Sequence, residues 1–293
     1  MEGMLKLKRY IFLFVGPAFL IFILFGLIPI VYNIILSLFR TDLMSPAVFW
    51  GFKNYTNLFH DSIFLRSVKN NFLTVLGSFI AHMPLALLLG SFLFQNIKGS
   101  NFFQSVFFLP FVLCGAAIGL TWTFIYNSEF GVINGILELL RMAQYKRQWL
   151  SDESTVMFAI IFVVMWQFVG YHMVIQLAAM RNISKELFEA AEIDGANKWQ
   201  QFWRIILPNI RRILKIDVVL IITGSLKYFD LVWVMTKGGP SHASEVLSTY
   251  MYYQGFRTMK YGYASAIGSI LLILCVAVIC LCNVLFKSKD SDN

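Results

Sequence analysis

This sequence predicts an all-α integral membrane protein with six transmembrane helices. Three observations carry that reading. The chain is 58% hydrophobic and only 14% charged over 293 residues, with a mean hydropathy of +0.68, too little charge to cover a soluble fold of this length. Six windows, 11–39, 72–95, 103–126, 156–180, 213–236 and 262–286, are long and apolar enough to cross a bilayer. Lysine and arginine are distributed unevenly between them. In hydrocarbon each window can satisfy its own backbone only as a helix.

The first window follows Lys6, Lys8 and Arg9, as a signal peptide would. Its apolar run is too long for a cleavable segment and ends in no small-residue cleavage site, so it reads as a retained helix with Pro17 and Pro29 as kinks. With the N-terminus inside, the inner segments 1–10, 96–102, 181–215 and 287–293 hold 13 Lys and Arg in 59 residues. The outer loops 40–70, 127–155 and 237–261 hold ten in 85. That twofold density contrast puts both termini and the long loop after the fourth helix in the cytoplasm.

The net charge of +8 therefore has a membrane explanation. A nucleic-acid interface would need basic residues gathered on one soluble face, and none exists. Cys114, Cys275, Cys280 and Cys282 fall within the apolar windows and form no C-x-x-C pair, so neither a disulfide framework nor a metal site is expected. There is no phosphate-cradling G-x-x-x-x-G-K-[ST], no H-E-x-x-H, and His60, His82, His172 and His242 are scattered. No cofactor and no catalytic residue is expected. If the protein is a pump, its energy arrives through a partner or an ion gradient.

The inner loop offers a route for a partner. Ser184 is a good N-cap, residues 185–194 favour helix, and Glu186 suits the positive end of the helix dipole. Gly195 is placed to end that helix in a left-handed cap. A second amphipathic stretch with Trp199, Phe202, Trp203 and Ile206 follows, closed by Pro208. Ala190 and Ala191 allow close approach, Leu187 offers an apolar anchor, and Glu189 and Glu192 offer charge, so the loop suits a helix-in-groove contact. The competing reading is an amphipathic helix on the lipid surface. Four acids, Glu186, Glu189, Glu192 and Asp194, oppose it, because anionic lipid repels them.

Residues Glu189 to Pro208, EAAEIDGANKWQQFWRIILP, also resemble the E-A-A-x3-G-x9-I-x-L-P loop of ABC importer permeases at every fixed position: Glu189, Ala190, Ala191, Gly195, Ile205, Leu207 and Pro208. Residues 51–71 resemble the G-x-x-N-Y-x-x-L-x-x-D-x-x-F stretch of sugar permeases. Residues 225–240 resemble their F-D…T-x-G-G-P segment, and YYQGFRTMKYGYASAIGSIL resembles the entry to their last helix. Ser184 stands where that family often has Pro, and Lys237 where small or polar residues are usual.

The resemblance is to the carbohydrate uptake, maltose-type permeases and implies a type I importer fold. It divides the chain into 1–71 (tail, first helix, outer loop), a 72–286 core of five membrane helices that includes the 181–212 cytoplasmic EAA loop, and a 287–293 cytoplasmic tail. It further implies a second homologous permease, two cytoplasmic ATPase subunits, an extracytoplasmic solute-binding protein and a sugar or polyol substrate. The ATPase-docking residues it marks are Leu187, Glu189, Ala190, Ala191, Asp194, Gly195, Ile205, Leu207 and Pro208.

Ionisable residues inside a membrane helix are functional candidates. The fifth window has Lys215 and Asp217 near its inner end, where snorkelling or pairing is expected, and Lys227 and Asp230, spaced to neutralise each other. A sugar site needs aromatic faces and hydroxyl partners; Trp166, Gln167 and Tyr171 with Ser225 supply them. By position, Phe168, Tyr171, Ile221, Gly224 and Ser225 resemble cavity-lining places of the maltose-type permeases. The main alternative is a secondary transporter driven by an ion gradient, which predicts inverted repeats and discontinuous helices. A polytopic membrane enzyme is a third, with no catalytic grouping to support it.

Overall fold

The computed structural model describes residues 14–95 and 97–285. Lys6, Lys8, Arg9, Lys287 and Lys289, and with them both expected cytoplasmic tails, lie outside the described residues. The architecture is helical. Helix α1 (Phe14–Leu36) leads into a two-residue hairpin, β1 (Phe39–Arg40) and β2 (Val48–Phe49), and then α2 (Lys53–His60) and α3 (Ser62–Phe94). Next come α4 (Ser100–Val112), α5 (Gly115–Ile125), α6 (Val132–Leu139), α7 (Val156–Arg181) and α8 (Lys185–Ile193). The order closes with α9 (Lys198–Gln201), α10 (Leu207–Leu226), α11 (Asp230–Met235), α12 (Leu247–Tyr252) and α13 (Tyr261–Leu285). Five helical segments are long and apolar enough to cross a membrane, or six if the bent pair α4–α5 is one span.

That pair is the main departure from the expected spans. The 103–126 window is broken, with its two helices meeting at 96°. Leu113 and Cys114 take extended backbone, ψ 146° and 128°, so the helical hydrogen bonds stop there. The halves go to different partners: α4 packs on α7, and α5 on α11. Cys114 thus sits exposed in the break rather than inside a helix.

Pro29 acts as expected and Pro208 does not. A π turn at Ile23–Leu27 ends two residues before Pro29, and another at Phe202–Ile206 ends two residues before Pro208. Proline lacks an N–H and collides with the carbonyl four residues back, here Phe25 and Arg204, and widening the preceding turn relieves that collision. Pro208 therefore does not close the amphipathic stretch. It opens α10, and the chain from Lys198 stays helical through the π turn to Leu226. The Lys227–Asp230 pairing also fails. The helix ends at Lys227, Asp230 begins α11, and no ion pair joins the two among the described residues.

The chain forms two compact units. In the first (1–61 and 251–272), no residue of α1 from Ile23 to Leu36 is buried. Its polar exception, Asn33, donates to the Ser265 carbonyl and Ser269 Oγ, each at 3.2 Å. Asn54 donates to the carbonyls of Ser37 and Phe39 at 2.7 and 2.9 Å and so fixes α2 beneath the hairpin. In the second unit (62–250 and 273–293), α3, α7 and α10 pack against one another. A buried cluster including Ile118, Trp122, Ile160, Val163 and Leu231 joins α5, α7 and α11.

Buried asparagines tie the 226–247 connection to α3. Asn71 Nδ2 donates to the Leu226 carbonyl at 2.9 Å, and its Oδ1 accepts from the Leu247 N–H at 2.7 Å. Asn70 donates to the carbonyls of Ala243 and Glu245, both at 2.8 Å. Asn71→Ala would strand two buried backbone groups, at about 1–3 kcal/mol each. A thermal unfolding scan of the purified variant is expected to show a clear drop in midpoint; an unchanged midpoint would contradict this bracing role.

Candidate functional site

The connection from α7 to α10 is built as an outward knob on a rigid base. Helix α7 ends at Arg181, and α8 starts after Ser184, whose hydroxyl bonds Glu186 rather than a backbone N–H. Helix α8 stops as expected. Gly195 has φ +78°, the left-handed region that glycine occupies without steric cost. The Ala196 N–H donates to the Ala191 carbonyl at 2.8 Å, and the Gly195 N–H to Glu192 at 3.1 Å. This is the full double-bonded glycine cap, which satisfies carbonyls that a helix end otherwise leaves open. Two residues later Asn197 and Gln200 bond each other's backbone N–H reciprocally, both at 2.9 Å, and start α9.

The base of the knob is apolar. Phe188 lies against Phe94 at the end of α3, ring centroids 5.5 Å apart. Met180, Ile206 and Ile210 form a buried cluster that Phe188 and Phe202 pack against. The opposite face is open: Leu187, Ile193, Trp199 and Trp203 are exposed, Ile193 by 87%. Of the predicted docking residues, Leu187, Glu189, Ala190, Asp194 and Gly195 are exposed and share this knob, with Ala191 half-buried. Ile205 and Leu207 are half-buried, and Pro208 is exposed at the start of α10. The two halves of the signature thus occupy separate elements, a presented turn and the helix that carries it. The carboxyls of Glu186 and Glu192 are held below the usual range, by hydrogen bonds from Ser184 and Lys198 respectively. The exposed face is therefore anionic.

A second feature was expected only in outline, as snorkelling or pairing at Asp217, without its partners. Asp217, which the sequence placed near the inner end of its helix, is completely buried. His172 Nδ1 bonds its Oδ1 and Gln176 Nε2 donates to its Oδ2, both at 2.7 Å. The His82 ring from α3 lies 5.0 Å from His172. Two of the three helices carry polar residues at i and i+4, Ser78 with His82 on α3 and His172 with Gln176 on α7, a spacing that was available in the sequence. Buried polar groups are costly unless hydrogen-bonded, so these bonds hold α7 and α10 in register, and α3 adds the His82 ring against His172. Asp217→Asn keeps one acceptor and turns the other into a donor facing His172 or Gln176. We expect it to lower thermal stability by about 1–2 kcal/mol; equal unfolding midpoints would show that the lost hydrogen bond contributes nothing.

The sugar-site candidates divide. Phe168 and Tyr171 come together: Tyr171 stacks on Phe111 at 4.4 Å, and Phe168 meets the rings of Phe111 and Tyr228 at 5.7 and 6.0 Å. Gln167 is buried and accepts from the Tyr228 hydroxyl at 3.0 Å. Trp166 points elsewhere, packed edge-on against Trp122. Ile221 and Ser225 are buried, and the Ser225 hydroxyl is used by the Ile221 carbonyl. Gly224 is exposed with open space beside it.

Residues 74–289 match the family described as binding-protein-dependent transport system inner membrane component. The chain belongs to this family. It is the permease component of an ABC importer, a multi-pass membrane protein. Its relatives span it nearly end to end. The permease is 41% identical over 284 residues to the probable ABC transporter permease protein YurN of Bacillus subtilis, covering 96% of this chain and 97% of that one. It is 32% identical over 270 residues to the arabinooligosaccharides transport system permease protein AraP of the same organism (91% and 85% covered). It is 31% identical over 272 residues to the diacetylchitobiose uptake system permease protein NgcF of Streptomyces coelicolor (88% and 76% covered). A bacterial ABC transporter involved in alginate import has the same fold, with a TM-score of 0.84 at 21% identity over 99% of this chain and 100% of that chain.

Proposed function

We propose that this permease carries a sugar or related polyol inward by alternating access, driven by ATP hydrolysis in separate cytoplasmic subunits that grip the α8 knob. One observation carries the coupling part of the reading: a glycine-capped, exposed turn with an anionic face is continuous, through α9 and the π turn, with the helix that holds Asp217 in the buried node. Closure of a grooved partner on the knob would move α10 as a unit. The sequence has no phosphate-cradling loop, so hydrolysis is assigned to partners and no enzymatic activity to this chain. With both tails in the cytoplasm, the partners are two ATPase subunits and a second homologous permease, with a solute-binding protein on the outer side.

Substrate class rests on the relatives, whose names specify arabinooligosaccharides and diacetylchitobiose. Phe168 and Tyr171, beside Phe111, Gln167 and Tyr228, supply stacked faces and polar groups suited to a pyranose ring. The broken α4–α5 pair is a feature the ion-gradient alternative shares, and the family match favours the ATP-driven reading. Reconstitution of the permease with its second permease, ATPase and binding protein tests it. Labelled oligosaccharide is expected to accumulate only with ATP on the ATPase side; uptake that ignores ATP and collapses with an ionophore would overturn the reading.

A further inference from the structure

A cavity of about 450 Å³ opens between the ends of α3 and α7 and the inner side of α8 and α9. Its charged lining residues are Arg181, Lys185 and Lys198, and no carboxylate lines it among the described residues. Lys198 is engaged with Glu192 at 2.8 Å. Arg181 and Lys185 are exposed and make no ion pair among the described residues. The rest of the wall mixes the polar Ser91, Gln95 and Gln201 with an apolar side made by Phe94, Phe188 and Phe202 with Ile183 and Ile206. Charge is therefore segregated across a single short helix. The acids of α8, Glu186, Glu189 and Glu192, are exposed, and the charged groups lining the cavity beside α8 are, among the described residues, all cations. A guanidinium and an ammonium above an apolar wall, at the level where two spanning helices end, match one ligand chemistry: a phosphate anion joined to something greasy.

We infer that this cavity binds a phosphate anion, and that the phenylalanine wall selects one carried by an acyl chain, the headgroup of an anionic phospholipid. Arg181 supplies a fork for the phosphate oxygens and Lys185 a second positive charge. Basic pockets between membrane helices at the polar boundary are suited to such headgroups. The site lies directly under the knob, so a bound headgroup would wedge α8 against α3. Only the choice of leaflet, the cytoplasmic one, rests on the orientation proposed above.

The assembled transporter, purified and exchanged into phosphatidylcholine nanodiscs doped with phosphatidylglycerol, tests this by native mass spectrometry and titration. The wild type is expected to retain phosphatidylglycerol in preference to phosphatidylcholine. The Arg181→Gln/Lys185→Gln variant should bind it roughly thirty-fold more weakly, two cations at about fivefold each. If the double variant does not fold, Lys185→Gln alone replaces an exposed side chain and should still show the fivefold loss. Equal lipid retention by wild type and variants, or no preference over phosphatidylcholine, overturns the inference. Inorganic phosphate is titrated in parallel. If it competes as well as the lipid does, the cationic site stands but its selection of an acyl chain fails. Since this measures binding without transport, it can fail while the transport reading survives, and the reverse.

Discussion

A Gly195→Leu permease is expected to reach the membrane in near-normal amount and to lose ATP-driven uptake by about tenfold or more, the loss typical of a central contact residue. The two halves of that result have different causes. Within the chain, a Cβ at 195 meets nothing within 4 Å, so the first added carbon meets no clash and the rest of the side chain starts into open space. The left-handed φ of +78° costs a non-glycine residue about 1 kcal/mol, which frays the α8 cap without unfolding the bundle. The added side chain projects into the space where a partner would close. Co-purification of the ATPase should fall in parallel with uptake. Gly195→Ala separates strain from bulk: it carries the same backbone strain with little protrusion and should keep most of the uptake. Undiminished ATP-driven uptake by the leucine variant would remove the docking role from this turn.

Gly170→Ala is expected to fail differently, by preventing assembly of the permease itself. A Cβ there would lie 1.8 Å from the Phe107 carbonyl oxygen and 2.4 Å from its carbon. Those atoms belong to the backbone of α4, so no rotamer change relieves the overlap; α4 must move off α7. Overpacking a core commonly costs 1–3 kcal/mol, and collision with a helix backbone should reach about 3 kcal/mol or more. The stacked Phe111–Tyr171 pair and the Phe168 contacts lie one turn from this crossing and would be lost with it. Membrane-inserted, protease-resistant permease is therefore expected to fall sharply. Normal amounts of folded protein would mean that α4 sits elsewhere.

These contrasting glycines show what was legible in the chain. Gly195 could be read because its role is local: a run of helix formers, one residue free to turn left-handed, then a new cap. Gly170 could not, since its requirement comes from a backbone more than sixty residues earlier, and nothing in its own window says so. The break at Leu113–Cys114 escaped for the same reason. An apolar window reports length and greasiness, and both halves of a bent pair are greasy. The His172–Asp217 pair was half visible. Its i, i+4 polar spacing lay in the sequence, but the distance from α7 to α10 did not. Among the sugar-site candidates, placement on a helix was readable and direction was not, which is why Trp166 and Ser225 separate from Phe168 and Tyr171 once neighbours are known.

The unbroken helical run from Lys198 to Leu226 bears on engineering. At 1.5 Å per residue, Lys198 and Asp217 stand about 28 Å apart on one rod with a single soft turn at the π segment. A rod with one joint does not let its ends be redesigned independently. Grafting this permease onto a foreign ATPase, or recutting its cavity for another carbohydrate, changes the lever arm for the other end. The π turn before Pro208 is the place to insert compliance or remove it, and therefore the place where a chimera would be tuned.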